Sequence, residues 1–314
     1  MNSHIHSFEK EFPLYFKTCM YLKESSFMYK DVFTQDKKTP VNHVLAEQIC
    51  QEVLAMCDGK WEEYALRLNN LLDINVEFLK LQRLLNKTGS YLYTTFEEVE
   101  REVFKNKKNG ALEGVDYLWG VIFSHIFWVT HHRLFNFFIE EFSGKAAQEG
   151  KCLEAPTGSG IFLTHFLYQN PKWKGVTVDL SDTAIEFAKK FAEINGLTPQ
   201  VEQVKMNIFE LERAEKFNRI ICVEFIEHVE DPVGIYKKLA SQLADGGKIF
   251  LTTVAWAAFI DHIYLYKNAE EIRAHIREAG LVIEKEYLQN IFPKDEGRLE
   301  DDKVALNYTA VLTK

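Results

Sequence analysis

The hydrophobic rhythm of the chain changes near residue 150. Before that point apolar side chains recur at the spacing of helices with one buried face. Val44, Ile49, Val53, Leu54 and Met56 keep it, as do Tyr64, Leu68, Leu71, Leu72, Phe78, Leu81 and Leu85. Residues 95–104 predict a shorter helix, with Thr94/Thr95 as its cap and Glu97 and Glu98 in its first turn, where carboxylates favour the helix dipole. Residues 115–142 are apolar nearly all round, with Tyr117, Trp119, Phe123, Phe127, Trp128, Phe135, Phe137, Phe138 and Phe142. Such a helix must be covered on most sides. The pattern predicts an all-helical domain over 1–148, with a boundary in 143–150 where Gly144 and Gly150 bracket small and polar residues.

From residue 149 to 314 short apolar runs alternate with helical segments. Strands are predicted at 151–154, 175–179, 201–206, 220–223 and 248–254. Ser181, Asp231 (followed by Pro232) and Asn268 (with Glu271 three residues on) supply helix caps between or after them. Gly196 and Gly280 stand just past two helix ends. Two further β-rich runs, 281–288 and 304–312, have no helix between them and should pair antiparallel. The expected class is α/β: a doubly wound, mostly parallel seven-stranded sheet with a terminal antiparallel hairpin, preceded by the helical domain.

The first strand leads into Lys151-Cys152-Leu153-Glu154-Ala155-Pro156-Thr157-Gly158-Ser159-Gly160 and then a helix. A strand, a glycine turn and a helix bring backbone N–H groups close to a docked ligand, with no Cβ atoms to hold it away. Nineteen residues after Gly160, the second strand ends in Asp179, where a nucleotide-binding unit places the carboxylate for ribose hydroxyls. The two together point to an adenosine-containing ligand.

Charge and cysteines narrow the field. Among 314 residues the formal net charge is -9 and no long Lys/Arg cluster occurs, which argues against a nucleic-acid partner. The acidic stretch 295–302 reads as a solvated loop. Cys19, Cys50, Cys57, Cys152 and Cys222 are odd in number, lack metal spacing, and read as reduced cysteines of a cytoplasmic protein. No signal peptide and no membrane-length apolar run is found. The aromatic helix can bury a homodimer face as readily as an intrachain one.

These motifs resemble those of the class I S-adenosylmethionine-dependent methyltransferases, over roughly residues 150 to 314. Beside the glycine turn and Val178-Asp179, the carriers are Glu224-Phe225-Ile226-Glu227-His228-Val229-Glu230-Asp231-Pro232 and Leu243-Ala244-Asp245-Gly246-Gly247-Lys248-Ile249. Pro156 stands where the family usually has its first glycine, and Asn207 where it often has an acid. The resemblance implies that Glu154, Ala155, Pro156, Gly158 and Gly160 hold the methionine end of S-adenosylmethionine and that Asp179 holds the ribose. It sets Leu180, Asn207 and Ile208 around the adenine, and Glu224 beside the methyl group. For Asn207 a plain turn role stands beside the adenine contact.

Methyl transfer asks for in-line placement of the nucleophile and, where needed, removal of its proton. Candidates are Glu224, His228 and His262. Some relatives with E-x-x-E-H after the fourth strand use it to bind a metal, which here implies Glu224, Glu227, His228 and His262 as ligands of a divalent cation. In the plainer reading Glu227 and His228 fix the loop and cap the next helix. Without metal, His228 or His262 is the candidate base. His131 and His132 read as a packed pair, or one of them as a roof over the substrate pocket. The large helical cap and acidic charge favour a small-molecule acceptor, amino-acid-like or a specialised metabolite. A nicotinamide-dependent dehydrogenase is the alternative, though further parallel strands would be expected of it. A non-catalytic S-adenosylmethionine-binding partner subunit is the third reading.

Overall fold

The computed structural model describes residues 8–32, 41–105 and 114–314. Helices α1 (Pro13–Ser25), α2 (His43–Met56) and α3 (Trp61–Thr88) come first, then a short α4 (Phe96–Val99) that runs into a wider turn at Glu100–Lys105. Thr95 caps α4 by accepting from the Glu98 N–H while the Glu98 carboxylate reaches back, the reciprocal arrangement that satisfies two orphan donors. The aromatic stretch predicted as one helix is two. α5 (Val115–Phe127) stops at Trp128, whose backbone is extended (φ -94°, ψ 119°), and α6 (Val129–Phe137) restarts beyond it. Neither proline nor glycine marks the break.

The second half is a sheet of β1 (Lys151–Glu154), β2 (Lys174–Asp179), β3 (Val201–Lys205), β4 (Phe217–Cys222), β5 (Leu243–Ala255), β6 (Val282–Asn290) and β7 (Leu306–Thr313). Helices α7 (Ile161–Gln169), α8 (Asp182–Ile194), α9 (Pro232–Gln242) and α10 (Ala269–Glu278) connect them. Ser181, Asp231 and Asn268 cap α8, α9 and α10, each side-chain oxygen accepting from a backbone N–H three residues on. The strand order is β3-β2-β1-β4-β5-β7-β6. β1 to β5 are parallel, and β7 lies between β5 and β6, antiparallel to both. The expected terminal pair is therefore present, with its last strand set inside the sheet. β5 starts earlier than predicted, because the Gly246-Gly247 segment forms a bulge within the strand, with Gly246 at φ +70°.

Strand order reverses direction between β1 and β4, so the carboxyl ends of these strands open a crevice that no connection covers. One face of the sheet, through Cys152, Ile221, Phe250 and Val311, packs into a single apolar cluster with α7, α8 and the N-terminal helices. Phe138 is at its centre, edge-on to Phe162 and Phe250 with ring centroids 5.0 Å from each. It is fully buried, so truncation to Ala should cost roughly 3–5 kcal/mol. The cap is also tied by a buried pair, His165 on α7 and Glu52 on α2, at 3.0 Å. Among the described residues no helix is long and apolar enough to cross a membrane. All five cysteines are buried and unpaired.

Candidate functional site

The crevice belongs to a cavity of about 1600 Å³, bounded by the carboxyl ends of the strands below and by the cap above. Pockets for a single small ligand commonly measure about 300–1000 Å³. This one has room for two molecules.

On the β1–β2 side is the glycine turn. Glu154 closes β1 as a buried carboxylate, one oxygen accepting from the Leu163 N–H at 3.3 Å and the other without a partner among the described residues. Burial, then the nearby Asp179, raises its pKa well above the usual carboxylate range. A cation beside the orphan oxygen would reverse that cost. Ala155 is buried and Pro156 lines the cavity. Gly158 and Gly160 both have positive φ, +51° and +73°, but their surroundings differ. A Cβ on Gly158 would meet no atom within 4 Å, whereas one on Gly160 would lie 2.7 Å from the Ala188 Cβ of α8. Gly158 thus leaves room for a ligand and Gly160 lets the turn pack against a helix. Asp179 accepts from the Gly158 N–H at 3.2 Å and the Ser181 N–H at 2.9 Å, which points its carboxylate at the turn. Leu180 is 54% exposed along the cavity wall, and Ile208 is buried beside it. Asn207 uses its oxygen to accept from the Phe209 N–H at 3.0 Å, the turn role, which leaves its amide nitrogen for any ligand.

On the β4–β5 side the structure gathers Glu227, His228 and His262, whose potential ligand atoms lie within 4.8 Å of one another. His228 Nδ1 lies 3.1 Å from the Asp261 carbonyl and His262 Nδ1 2.9 Å from the Ala257 carbonyl. A carbonyl can only accept, so each ring carries a hydrogen on Nδ1, which leaves Nε2 as the atom that could bind a metal once it has no proton. One Glu227 oxygen accepts from Thr253 Oγ1 at 2.7 Å and the other has no partner among the described residues. Burial opposes charge on His228, but Asp261 and Glu227 outweigh it and raise its pKa. His262 goes the other way, pushed down to about 3 by burial and by His228.

Glu224, expected as a fourth ligand, is outside this cluster. Successive residues of a strand face opposite sides, and Thr252 and Thr253 divide the two acids between them. Glu224 accepts from Thr252 Oγ1 at 2.7 Å, on the cap side, while Glu227 is held by Thr253. The Glu224 backbone sits at φ +46°, unusual for a side-chain-bearing residue, with its N–H held by the Thr252 carbonyl and hydroxyl oxygens. Burial, then the neighbouring Glu227 charge, raises its pKa.

The cap adds Tyr117, which faces Asp261, Glu224 and Glu227 closely enough that their charges, after burial, raise its pKa. His131 lines the cavity and His132 does not. His132 is locked between the His125 carbonyl and the Asn42 N–H. Sequence reasoning took the aromatic stripe from Tyr117 to Phe142 as mainly core with a few rings lining the cavity, without singling out Tyr117, and overlooked Thr252 and Thr253. Their signal was two hydroxyls inside the apolar run 249–255.

Comparison with known proteins identifies the family. The family model of the methyltransferase domain matches residues 127–286, just over half of the chain. A ubiquinone biosynthesis O-methyltransferase from Actinobacillus pleuropneumoniae is 32% identical over 108 residues, 33% of this chain and 45% of that protein. One from Coxiella burnetii is 33% identical over 95 residues, 30% and 40% of the two. An uncharacterized Synechococcus protein is 28% identical over 139 residues, 43% and 30%. The chain thus spans half or less of the length of the curated relatives it matches. A solved S-adenosylmethionine-dependent methyltransferase from Clostridium acetobutylicum has a TM-score of 0.47 at 15% identity, covering 62% of this chain and 97% of that one. One from Geobacter sulfurreducens in complex with S-adenosyl-L-homocysteine has 0.46 at 15%, covering 58% and 90%. The match begins at the end of α5 and runs through the glycine turn and the His228 loop into β6, and the chain belongs to the methyltransferase domain family, as a class I S-adenosylmethionine-dependent member.

Proposed function

We propose that the protein transfers a methyl group from S-adenosylmethionine to a hydroxyl of a small molecule, with a divalent cation at Glu227, His228 and His262. The observation that carries this is a single cavity joining the Glu154–Asp179 turn to a carboxylate and two imidazoles whose Nδ1 atoms are held by backbone carbonyls. Bound S-adenosylmethionine supplies an electrophilic methyl group. Glu154 would take its ammonium against the orphan oxygen, the Gly158 backbone would let it approach, and Asp179 would accept from the ribose hydroxyls. Leu180 and Ile208 would cover the adenine, with the Asn207 amide nitrogen at its edge.

A divalent cation acidifies a hydroxyl bound to it. Glu224, on the cap side and steadied by Thr252, would take the proton of the acceptor hydroxyl, and Tyr117 would close the site from above. With His228 and His262 acting as ligands, the role of base falls to Glu224. The O-methyltransferase names of the relatives support a hydroxyl acceptor. The net charge of -9 supports a small molecule over nucleic acid, and the five free cysteines support a cytoplasmic setting. A dehydrogenase would be expected to extend the sheet with parallel strands, and β6 and β7 do not.

Calorimetric titration with S-adenosylhomocysteine, elemental analysis of the same sample, and transfer of labelled methyl to a panel of catechols would test the proposal. Binding without any methylated catechol would remove catechols as the acceptor. No binding would remove the cofactor.

A further inference from the structure

Away from the glycine turn and the Glu227 cluster, the cavity reaches the far edge of the sheet. There Val254 of β5 pairs with Asn307 of β7, and Asn307 with Gln289 of β6. Directly paired residues point to one face, and all three line the cavity. Two of the three are amides, and both are deeply buried: Gln289 is 5% exposed and Asn307 2%.

Gln289 Nε2 donates to the Thr130 carbonyl at 3.1 Å, which fixes the orientation of the amide. Its Oε1 is left without a donor among the described residues, and so is Asn307 Oδ1. Buried polar atoms without partners are uncommon, and each unmet oxygen carries a desolvation cost that a ligand donor would remove. The neighbouring wall is aromatic, with Phe78 and Phe292 stacked at 5.8 Å. Two adjacent amide oxygens without donors, beside an aromatic wall, are suited to hold one hydrogen-donating group of a ligand whose apolar part rests on the rings.

We infer that Gln289 and Asn307 are the far anchor of the methyl acceptor. Their oxygens bind a hydrogen-donating group, a hydroxyl or a primary amide, carried at the end remote from the methylated hydroxyl. This rests on the proposed function, since it takes the part of the cavity beyond the cofactor as the acceptor site. The two amides set specificity. Neither belongs to the group of residues assigned to the cation.

The test uses the whole protein saturated with S-adenosylhomocysteine and Mg²⁺. The probes are 3,4-dihydroxyphenylalkanamides with one to three methylenes, each beside its N,N-dimethyl amide, which has no hydrogen to give. Binding is measured by calorimetry. At one chain length the primary amide should bind about ten-fold tighter or more, because a site built to bond a donor rejects the analogue lacking it. Gln289→Met and Asn307→Leu should each bring that ratio close to one and leave S-adenosylhomocysteine affinity within about two-fold. The wild-type comparison needs no variant and stands if a variant fails to fold. Absence of any preference at every chain length, including no binding of any probe, would overturn the anchor while the cofactor reading stands. A preference that survives both substitutions would overturn it too. Failure to bind S-adenosylhomocysteine, visible in the first titration, would bring down both.

Discussion

Two glycines two residues apart should fail in different ways when given the same methyl group. Gly158→Ala and Gly160→Ala each force a side chain into the left-handed region, at about 1 kcal/mol. For Gly158 that is the whole folding cost, since its new Cβ meets nothing within 4 Å. For Gly160 the Cβ would fall 2.7 Å from the Ala188 Cβ and 3.2 Å from its Cα, and neither is the flexible end of a side chain. Overpacking of that kind adds roughly 1–3 kcal/mol, for a total of about 2–4 kcal/mol. Thermal unfolding should therefore show a drop for Gly160→Ala at least twice that for Gly158→Ala. A shift of about 2–4 °C per kcal/mol is expected for chains near this size. Ligand binding should rank them differently. The Gly158 methyl enters the space where the backbone meets the cofactor, so S-adenosylhomocysteine affinity should fall about ten-fold or more in a nearly intact fold, a loss of about 1.4 kcal/mol. Calorimetry and a melting curve on both variants suffice. Wild-type affinity in Gly158→Ala, or equal melting shifts in the two, would show that the turn does not hold the ligand as argued.

Three further outcomes are expected. Glu227→Gln should lose bound divalent metal by elemental analysis with S-adenosylhomocysteine affinity unchanged, while Glu224→Gln should keep the metal and lose turnover; metal retained by Glu227→Gln would discard the cluster. Tyr91→Phe removes a 2.6 Å hydrogen bond to the Ala257 carbonyl, so it should cost about 1 kcal/mol in urea unfolding and weaken metal binding without abolishing it. The cap should also make the protein acid-sensitive. Burial pushes His131 down to about 4 and lowers His125 and His132, so the unfolded chain binds protons that the folded one refuses. Stability from these groups is complete above their ordinary value near 6.5 and is lost as pH falls towards 4, with His131 alone contributing up to roughly 3 kcal/mol. Urea midpoints that stay flat across that window would contradict it, and His131→Phe should reduce the slope.

What the sequence revealed and what it hid divide along physical lines. The helix caps at Thr95, Ser181, Asp231 and Asn268 were legible because each is decided within four residues by one side chain and one backbone group. The break at Trp128 was not. It has no local cause, and its two flanking helices are both aromatic, so periodicity runs through it. Nor could the placing of β7 between β5 and β6 be read, since antiparallel pairing of the last two runs is satisfied by either order. At the site, spacing brought Glu224 and Glu227 forward together, but the alternation of Thr252 and Thr253 puts them on different sides of a strand. Gln289 and Asn307 lie 18 positions apart in sequence and meet only through strand register.

The cap does more than enclose the cavity, because it shares atoms with the proposed metal site. The Ala257 carbonyl accepts from both Tyr91 Oη and His262 Nδ1, so one oxygen joins the chain after α3 to the ring that would bind the cation. On either side, the Trp256 carbonyl accepts from Gln82 Nε2, the Ala258 N–H donates to Gln82 Oε1, and Trp256 Nε1 donates to Asn86. These bonds hold a segment whose Trp256 backbone sits at φ +50°, a conformation that persists only when its surroundings determine it. The Glu227 carbonyl in turn accepts from the Ile263 and Tyr264 N–H groups, which locks the two loops together. Glu227 and His262 are thus brought into register by backbone bonds between two loops of the sheet, and that register is set by two side chains of α3 and one from the segment after it. A methyltransferase sheet without these helices would carry the same E-x-x-E-H letters and lack the support that orients His262.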